Sequence, residues 1–412
     1  MSDLEEKDTK RNVPKLRFPG FTDPWEQRKV RELLNERNER APKSDEYPLM
    51  AFIANEGVAP KGERFDRSAL INDTEGKLYK RTKYNDFIYS SNNLETGSIG
   101  LNKYGNACIS PVYSIFETSD IADPDFIGRR FTCKDFIYKM VKSRQGVIYG
   151  QWRIHESDFL KIDIEVPGKV EQKAIGYFFN YFDNLITLRQ RELDHVKLMK
   201  RGLLQKMFPK DGADTPEIRF PGFADPWEQR KLGDMVEFYQ GQTYSPVDIA
   251  DTDGILVLRS SNVQHGQVVS NDDVHIACTV KLADNVRRND IIVVVRNGSR
   301  SLIGKHALIR RDMPNTVIGA FMVGVRSEEP FFANALFDTA AFDKEIEKNL
   351  GATINQITGY MFGRMSFLVP SISEQRVVGS FFNDLDNLIA LRQRELDHVK
   401  LLKKSLLQQM FV

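Results

Sequence analysis

Two stretches of this 412-residue chain occur twice, and this internal repeat constrains the fold more than any other feature. Residues 17–29 match residues 219–231 at twelve of thirteen positions. Residues 176–208 match residues 379–411 at 25 of 33 positions. The offsets are 202 and 203 residues, so the two halves are nearly equal in length. We call these repeated stretches the frame: residues 17–29 and 176–208 in the first copy, and 219–231 and 379–411 in the second. A frame repeated this closely predicts one structural unit that is used twice.

The segments inside the frame, residues 30–166 and 232–369, share little identity. Both contain short apolar runs that are typical of strands, and residues 341–350 have the pattern of a helix. The inserts are therefore predicted to be mixed α/β domains of one fold that present different surfaces. The predicted strands are 87–90, 161–166, 254–258, 290–295 and 321–325.

The repeated Asp-Pro-Trp-Glu-Gln-Arg-Lys segment is expected to lead into a short helix at the start of each insert. Asp23 and Asp225 are possible caps of this helix, and the prolines that follow them suit its first turn.

Residues 171–208 have a heptad pattern of apolar side chains without an interrupting proline, and the second copy repeats it. Arg189 and Lys200 occupy two further seam positions, as do Arg392 and Lys403. An antiparallel pairing of the two helices would give the chain a pseudo-two-fold axis. Plain core packing or a homodimer zipper remains open. The residues predicted to form the seam and to dock partners are Phe182, Ile186, Leu193, Val196, Leu203, Leu385, Ile389, Leu396, Val399 and Leu406.

Composition excludes several classes of protein. The chain has no apolar run of the length, about 18 residues, that a membrane span needs. Its charged start does not resemble a secretory signal, so a cytoplasmic location is expected. Its three cysteines are far apart and fit neither a disulfide framework nor a zinc site. The net charge of +1 is low for a nucleic-acid binder, so DNA contacts would have to come from local basic clusters.

Such clusters occur in the second insert. Residues 296–311 contain five basic and no acidic residues, and residues 259–267 are rich in hydrogen-bonding side chains, as are 240–245 and 351–359. Arginine suits guanine edges and phosphates, and amides suit adenine. A solvated loop with ordinary surface charge is the alternative. The predicted contacts are Arg259, Asn262, Gln264, Arg296, Asn297, Ser299, Arg300 and Lys305.

In the first insert the candidate segments are 61–68, 77–84, 92–105 and 142–153. Tyr84, Tyr104 and Trp152 are aromatic candidates for packing on sugar or base, although a core position is favoured for Trp152. The predicted contacts are Lys80, Arg81, Lys83, Lys103, Lys142, Arg144 and Gln145.

Motifs for catalysis are missing from the sequence. A methyltransferase's Gly-rich loop and Asn-Pro-Pro-aromatic segment do not occur, nor does a phosphate-binding loop or an acidic nuclease cluster. His195 and His398 share one repeat position on the polar flank of the helix, which favours a structural role or a partner contact. The sequence therefore predicts a binding protein without a catalytic site, metal or cofactor of its own.

The order of these parts resembles the specificity subunits of type I restriction-modification systems. The resemblance rests on the Arg-Phe-Pro-Gly-Phe…Trp-Glu-Gln-Arg-Lys openings, the Pro…Glu-Gln exits and the Asp-Asn-Leu-Ile-x-Leu-Arg-Gln-Arg-Glu-Leu helices. It implies an α+β fold with two pseudo-repeated target-recognition domains separated by two long antiparallel coiled-coil helices. The expected parts are a tail at 1–14, recognition domains at 15–170 and 217–372, helices at 171–210 and 373–412, and a linker at 211–216.

The resemblance also implies partners. They are double-stranded DNA with a bipartite target, two adenine-methylating modification subunits, and restriction subunits with translocase and nuclease activity. S-adenosylmethionine, ATP and magnesium would be bound by those partners. Two other hypotheses remain: a stand-alone DNA enzyme such as a nuclease with a degenerate metal site, and a coiled-coil scaffold that does not bind DNA.

Overall fold

The computed structural model of the chain describes residues 13–60, 76–148, 151–251, 254–277, 284–351 and 355–411. The candidate segment 61–68, Cys278 and residues 1–12 of the predicted tail lie outside the described residues. The chain divides into two compact units. The first comprises Met1–Arg189 with Leu396–Val412, and the second comprises Gln190–Glu395.

The first unit is built from short antiparallel strands around an aromatic core. Strands β2, β10, β7 and β8 form one sheet, and β3, β6 and β9 form another. The strands are β1 (Glu26–Lys29), β2 (Leu34–Glu36), β3 (Arg40–Ala41), β4 (Ala51–Ile53), β5 (Gly57–Ala59), β6 (Tyr79–Thr82), β7 (Phe87–Tyr89), β8 (Ile99–Leu101), β9 (Ala107–Ile109), β10 (Ser114–Thr118), β11 (Gln145–Ile148), β12 (Gln151–Arg153) and β13 (Asp163–Val166). The helices are α1 (Val30–Leu33), α2 (Pro124–Arg130), α3 (Lys134–Lys142), α4 (Glu156–Phe159) and the start of α5 (Lys169–Met207).

The second unit contains two four-stranded sheets, ordered β15-β24-β21-β22 and β16-β20-β17-β23. Its strands are β14 (Glu228–Lys231), β15 (Val236–Gln240), β16 (Ile249–Ala250), β17 (Ile255–Leu258), β18 (Val263–Gln264), β19 (Gln267–Val268), β20 (Val274–Ile276), β21 (Ile291–Val294), β22 (His306–Leu308), β23 (Thr316–Ile318), β24 (Met322–Ser327) and β25 (Ser366–Val369). Its helices are α6 (Pro330–Phe337), α7 (Ala340–Asn349), α8 (Gly359–Gly363) and most of α9 (Ile372–Met410). The five predicted strands and the helix predicted at 341–350 are confirmed.

The prediction for the start of each insert is partly wrong. The Glu-Gln-Arg-Lys segment is a strand in both units, since β1 pairs antiparallel with β13 and β14 with β25. The short helix α1 begins only after this strand, and Lys29, not Asp23, precedes it. Each frame opening therefore pairs with the strand that leaves its own insert, which closes the insert at its root.

A buried ion pair holds this closure in both units. The Arg17 guanidinium binds both carboxylate oxygens of Glu171 at 2.6 Å. Arg219 binds Glu374 in the same way at 2.7 Å. Both glutamates are almost fully buried, so their charges need these bidentate partners. The pair explains why arginine and glutamate recur so far apart in the sequence.

The glutamine beside each buried glutamate has an equally regular contact. Gln172 Nε2 donates to the Pro167 carbonyl at 2.8 Å, and Gln375 Nε2 donates to the Pro370 carbonyl at 2.9 Å. These bonds satisfy carbonyl groups where a strand turns into a long helix. The Pro…Glu-Gln segments therefore connect the last strand of each insert to the long helix that follows it.

Helices α5 and α9 each have 39 residues, which corresponds to a length of about 58 Å at 1.5 Å per residue. In the first unit, Phe179 of α5 contacts Phe411 just beyond α9, and Asp183 binds Lys403. In the second unit, Lys200 binds Asp386, and Phe208 just beyond α5 contacts Phe382. Pairs that advance along α5 and retreat along α9 show that the helices run antiparallel in each unit, as predicted.

The predicted seam is buried to different degrees. Phe182, Leu193, Leu385 and Leu396 are buried, with Leu193 and Leu396 each 1% exposed. The other predicted seam residues are half-buried, namely Ile186, Val196, Leu203, Ile389, Val399 and Leu406. None of the helices in the described part of the chain combines the length and the hydrophobicity that a membrane span requires.

Each unit also receives the end of the helix from the other repeat. The backbone N–H of Leu16 donates to the Gln409 carbonyl at 2.9 Å, and Ile218 donates to Lys206 at the same distance. Next to these bonds, Trp25 packs edge-on against Phe411 and Trp227 packs edge-on against Phe208. Each structural unit is therefore made of residues from both repeats of the sequence.

Candidate nucleic-acid interface

In the second unit, the fold brings together three of the polar segments that the sequence singled out. Asn297 Nδ2 donates to Ser260 Oγ at 3.2 Å, and Lys305 Nζ lies 3.5 Å from the Ser260 carbonyl. The backbone N–H of Asn297 donates to the carbonyl of Asn355 at 3.3 Å. Segments 259–267 and 296–305 thus meet around Ser260, and the described part of 351–359 adjoins them.

An open cavity of about 510 Å³ lies at this meeting point. Except for Leu302, every lining residue has a side chain that can donate or accept a hydrogen bond. Gln264 and Lys305 were predicted contacts, whereas Ser261, His265 and Asn271 were not. The lining residues are Ser260, Ser261, Gln264, His265, Asn271, Leu302 and Lys305.

Three arginines belong to the segments that meet here: Arg296 and Arg300 are exposed, and Arg259 is half-buried. Arg296 stacks on Phe321, with its guanidinium carbon 4.9 Å from the ring centre. Arg300 pairs with Glu347 at 2.7 Å, and Arg259 pairs with Asp272 at 2.6 Å. Exposed ion pairs contribute little to stability, so Arg300 can exchange the Glu347 carboxylate for a phosphate at low cost. Ser299 is also exposed, and its backbone N–H donates to Asn297 Oδ1 at 3.0 Å.

In the first unit, two lysines lie over exposed aromatic rings. Lys103 Nζ is 5.1 Å from the centre of the Tyr84 ring, and Lys142 Nζ is 4.3 Å from that of Tyr138. Tyr84 is 58% exposed and Tyr138 is 60% exposed. An exposed cation beside an exposed ring matches the contacts that nucleic-acid backbones and bases offer. Lys83, next to Tyr84, is exposed as well.

Candidate segments 92–105 and 142–153 meet at the loop formed by residues 91–95. Arg144 binds the Glu95 carboxylate through both terminal nitrogens and donates to the Ser91 carbonyl. The backbone N–H of Trp152 donates to Asn92 Oδ1 at 2.7 Å. Trp152 is 45% exposed, so the favoured core position for this side chain is wrong.

Two predicted contacts have other roles in this structure. Lys80 is 3% exposed, and its ammonium group lies 3.9 Å from Glu156. Burial lowers the pKa of Lys80 despite that carboxylate. The fully buried Asn262 amide donates to Asp273 and to the carbonyls of Val269 and Asn271. Both side chains stabilise the fold and are too buried to reach a duplex, so we correct their assignment.

Two other predicted contacts in the first insert are partly engaged. Arg81 pairs with Glu39 at 2.7 Å and stacks on Tyr47, and Gln145 Nε2 donates to Asp158 at 2.7 Å. Their direct role toward DNA stays a prediction.

Across the described residues, no group of three or more His, Cys, Asp and Glu side chains is arranged to hold a metal ion. His195 and His398 are exposed, as expected for the polar flank of a helix. Burial raises the pKa of Tyr89, Tyr239 and the Cys133 thiol, and ion pairs within the fold shift other groups. Asp338, for example, has a pKa far below its usual range because His306 and Lys200 outweigh its burial.

Comparison with known proteins agrees with this geometry. Residues 22–198 and 224–401 each match the model of the type I restriction modification DNA specificity domain, and together they cover most of the chain. The chain belongs to this specificity family. It is 22% identical over 381 residues to the MjaVIII specificity subunit of Methanocaldococcus jannaschii, which is 88% of this chain and 84% of that relative. The StySPI specificity subunit of Salmonella potsdam is 27% identical over 172 residues, which is 40% of this chain and 36% of the relative.

Solved structures of the family share the fold. The type I S subunit from M. genitalium superposes with a TM-score of 0.65 at 14% identity, covering 97% of this chain and 99% of that one. A chain from a study of complex assembly in a type I system gives a TM-score of 0.53 at 17% identity, covering 95% of this chain and 99% of that one. The specificity family thus accounts for both the duplicated frame and the long helices.

Proposed function

We propose that this specificity subunit reads a bipartite, asymmetric DNA sequence, with one half-site for each unit. The observation that carries the proposal is a shared frame that holds two different polar surfaces. Arg17–Glu171 and Arg219–Glu374 close the units identically, while the exposed cations and amides beyond them differ. Contacts to base edges specify sequence, so two different surfaces imply two different half-sites.

Phosphate contacts would supply much of the affinity, and the chain has a net charge of only +1. Exposed lysines and arginines such as Lys83, Lys142, Arg296 and Arg300 provide local positive charge. We propose that partner subunits contribute further phosphate contacts. Binding by the chain alone should therefore be weaker than binding by the assembled complex.

The long helices offer matching apolar positions to two like partners. Leu198 and its repeat equivalent Leu401 are 64% and 65% exposed. Leu188 with Leu391, and Met199 with Leu402, form two more exposed equivalent pairs. The predicted seam residues are buried or half-buried by packing within the chain. We therefore assign docking of two modification subunits to these exposed residues.

The chemistry is assigned to those partners. S-adenosylmethionine would be bound by the modification subunits, and ATP and magnesium by the restriction subunits. This chain would bind none of them and would serve to position the complex on its target.

The proposal is tested by co-expressing the chain with a cognate modification subunit and mapping methylated adenines in the host DNA. We expect one two-part motif, and exchange of residues 30–166 should change only one part. Metal-dependent cleavage by the purified chain would instead favour a nuclease. A chain that neither forms a complex nor binds duplex in a salt-dependent way would favour a scaffold.

A further inference from the structure

We propose that the β18–β19 hairpin of the second unit enters the major groove and that Gln264 and Gln267 read base edges there. This inference rests on the proposed function and names the reading element for one half-site. It arises from the shape of the hairpin, the direction of its side chains and the cavity beside it.

The hairpin is a narrow two-stranded ribbon. Val263–Gln264 pairs antiparallel with Gln267–Val268. The two-residue turn is His265-Gly266, with φ of 51° and 72°. Two positive φ angles define a type I′ turn, which matches the twist of a tight hairpin. The major groove, about 12 Å wide, admits a ribbon of this kind.

The root of the hairpin is held rigidly. Val263 is fully buried and Val268 packs against the same apolar cluster. The Asn262 amide donates to the Val269 and Asn271 carbonyls at 3.2 and 3.1 Å, and Val269 N–H donates back to the Asn262 carbonyl at 2.8 Å. A reading element needs such support, because loose side chains discriminate bases poorly. Asn262 therefore acts as a positioning residue.

The side chains of Gln264 and Gln267 lie on the same face of the hairpin. Val263 lies opposite Val268, and Gln264 lies opposite Gln267. Successive side chains of a strand point to opposite faces. Since the valines face the core, the two glutamines share the other face, and Gln264 lines the open cavity. A glutamine amide pairs in a bidentate manner with adenine N6 and N7.

The surroundings favour a nucleobase edge as the ligand. Ser261 Oγ is buried at this cavity without a hydrogen-bond partner in the described part of the chain. Lys305 Nζ contributes positive charge. The nearby carboxylates of Asp272 and Asp273 are engaged, the first by Arg259 and the second by Ser270 and Asn262. Gln264 Nε2 makes one long contact, 3.5 Å to the Ser261 carbonyl, which is weak enough for a base edge to replace it.

The test uses the full chain in complex with its modification subunit. Motifs are selected from a random duplex pool by the wild type and by Gln264→Ala, Gln267→Ala and Gln264→Glu. We expect each alanine variant to lose about tenfold or more of the preference for adenine at one position of one half-site. Gln264→Glu should move that preference toward cytosine, whose amino group donates to a carboxylate.

Gln205→Ala is the matched control, since Gln205 is exposed on α5 in the same unit. It should leave the motif unchanged, and thermal melting should show that all variants fold. Folded hairpin variants that keep the wild-type motif, or that weaken every sequence equally, would overturn the base-reading role while the proposed function stands. If the wild-type complex selects no motif at all, the proposed function fails, and the hairpin inference fails with it.

Discussion

Lys200 and Asp386 form a partly buried ion pair at 2.5 Å, and Lys403 and Asp183 form the equivalent pair in the other unit. Each aspartate also receives an arginine from its own variable insert. Arg129 in α2 binds Asp183 at 2.7 Å, and Arg310, beyond β22, lies 3.5 Å from Asp386. Two different inserts therefore reach the same acceptor on the helices from unrelated positions in their folds.

An asparagine on the same face of each helix also accepts a hydrogen bond from the arginine. Arg129 also donates to Asn180, and Arg310 donates to Asn383, both at 2.7 Å. Asn180 and Asn383 are equivalent positions of the repeat. An insert that lacks an arginine at this place would leave the asparagine side-chain oxygen without this donor and the aspartate with its lysine but one cation fewer, which costs free energy.

Replacing Lys200 with methionine should destabilise the second unit. The change leaves Asp386 and Asp338 without their shared cation, and breaking a buried pair in this way costs about 3 kcal/mol or more in the free energy of unfolding. Urea unfolding of the variant should show the loss. Lys206→Met, at an exposed position of the same helix, is the control and should unfold like the wild type.

His306 should make the stability of the second unit depend on pH. Burial lowers the pKa of this imidazole, but Asp338, with Oδ1 3.5 Å from Nε2, outweighs burial and leaves the pKa above its usual value of 6.5. A raised folded pKa gives stability that is complete below the unfolded pKa and is lost as the pH rises through the folded pKa. Lys200 on α5 opposes the charged ring, and the Gly304 carbonyl supports it.

Melting temperatures of the wild type and of His306→Gln, taken from pH 5.5 to 9, check this expectation. The wild type should lose more stability than the variant once the pH exceeds about 6.5. Parallel pH profiles for the two proteins would contradict a charged His306.

The buried and exposed leucines of the long helices should separate stability from assembly. Leu193→Asp or Leu396→Asp places a charge in a seam where each leucine is 1% exposed, and a loss of about 4 kcal/mol or more is expected. Leu198→Asp and Leu401→Asp should leave melting nearly unchanged but reduce co-purification with the modification subunit. If both pairs of variants behave alike, the division between seam and docking surface is wrong.

Arg300→Ala should weaken DNA binding through lost charge. Arg300 is exposed, and its pairing with Glu347 is exchangeable. Binding of the assembled complex, measured at several salt concentrations, should weaken, and its salt dependence should fall by about one counterion. Arg201→Ala, at an exposed position on α5, is the comparison and should bind as the wild type. Unchanged affinity and slope for Arg300→Ala would remove this residue from the interface.

Neighbouring residues show why burial of the candidate contacts was hard to predict. Lys80 and Lys83 stand three positions apart in one basic run, yet the first is buried and the second is exposed. Lys80 is buried because β6 lies between β3 and β9 and because Glu156 approaches from far along the chain. Neither partner strand nor distant carboxylate leaves a signal in the local sequence.

The sequence alone predicted the duplication, the two long helices with an apolar heptad stripe, the main strands and the resemblance to the family, and it left antiparallel pairing of the helices as one of several alternatives. These predictions were possible because heptad spacing, apolar runs and repeated motifs can be recognised in the sequence without knowledge of long-range contacts. Tertiary structure alone decided that each unit borrows a helix end from the other repeat, that Asn262 braces a hairpin and that Trp152 is exposed. These outcomes depend on long-range packing, in which free energy is gained from contacts between residues far apart in the chain.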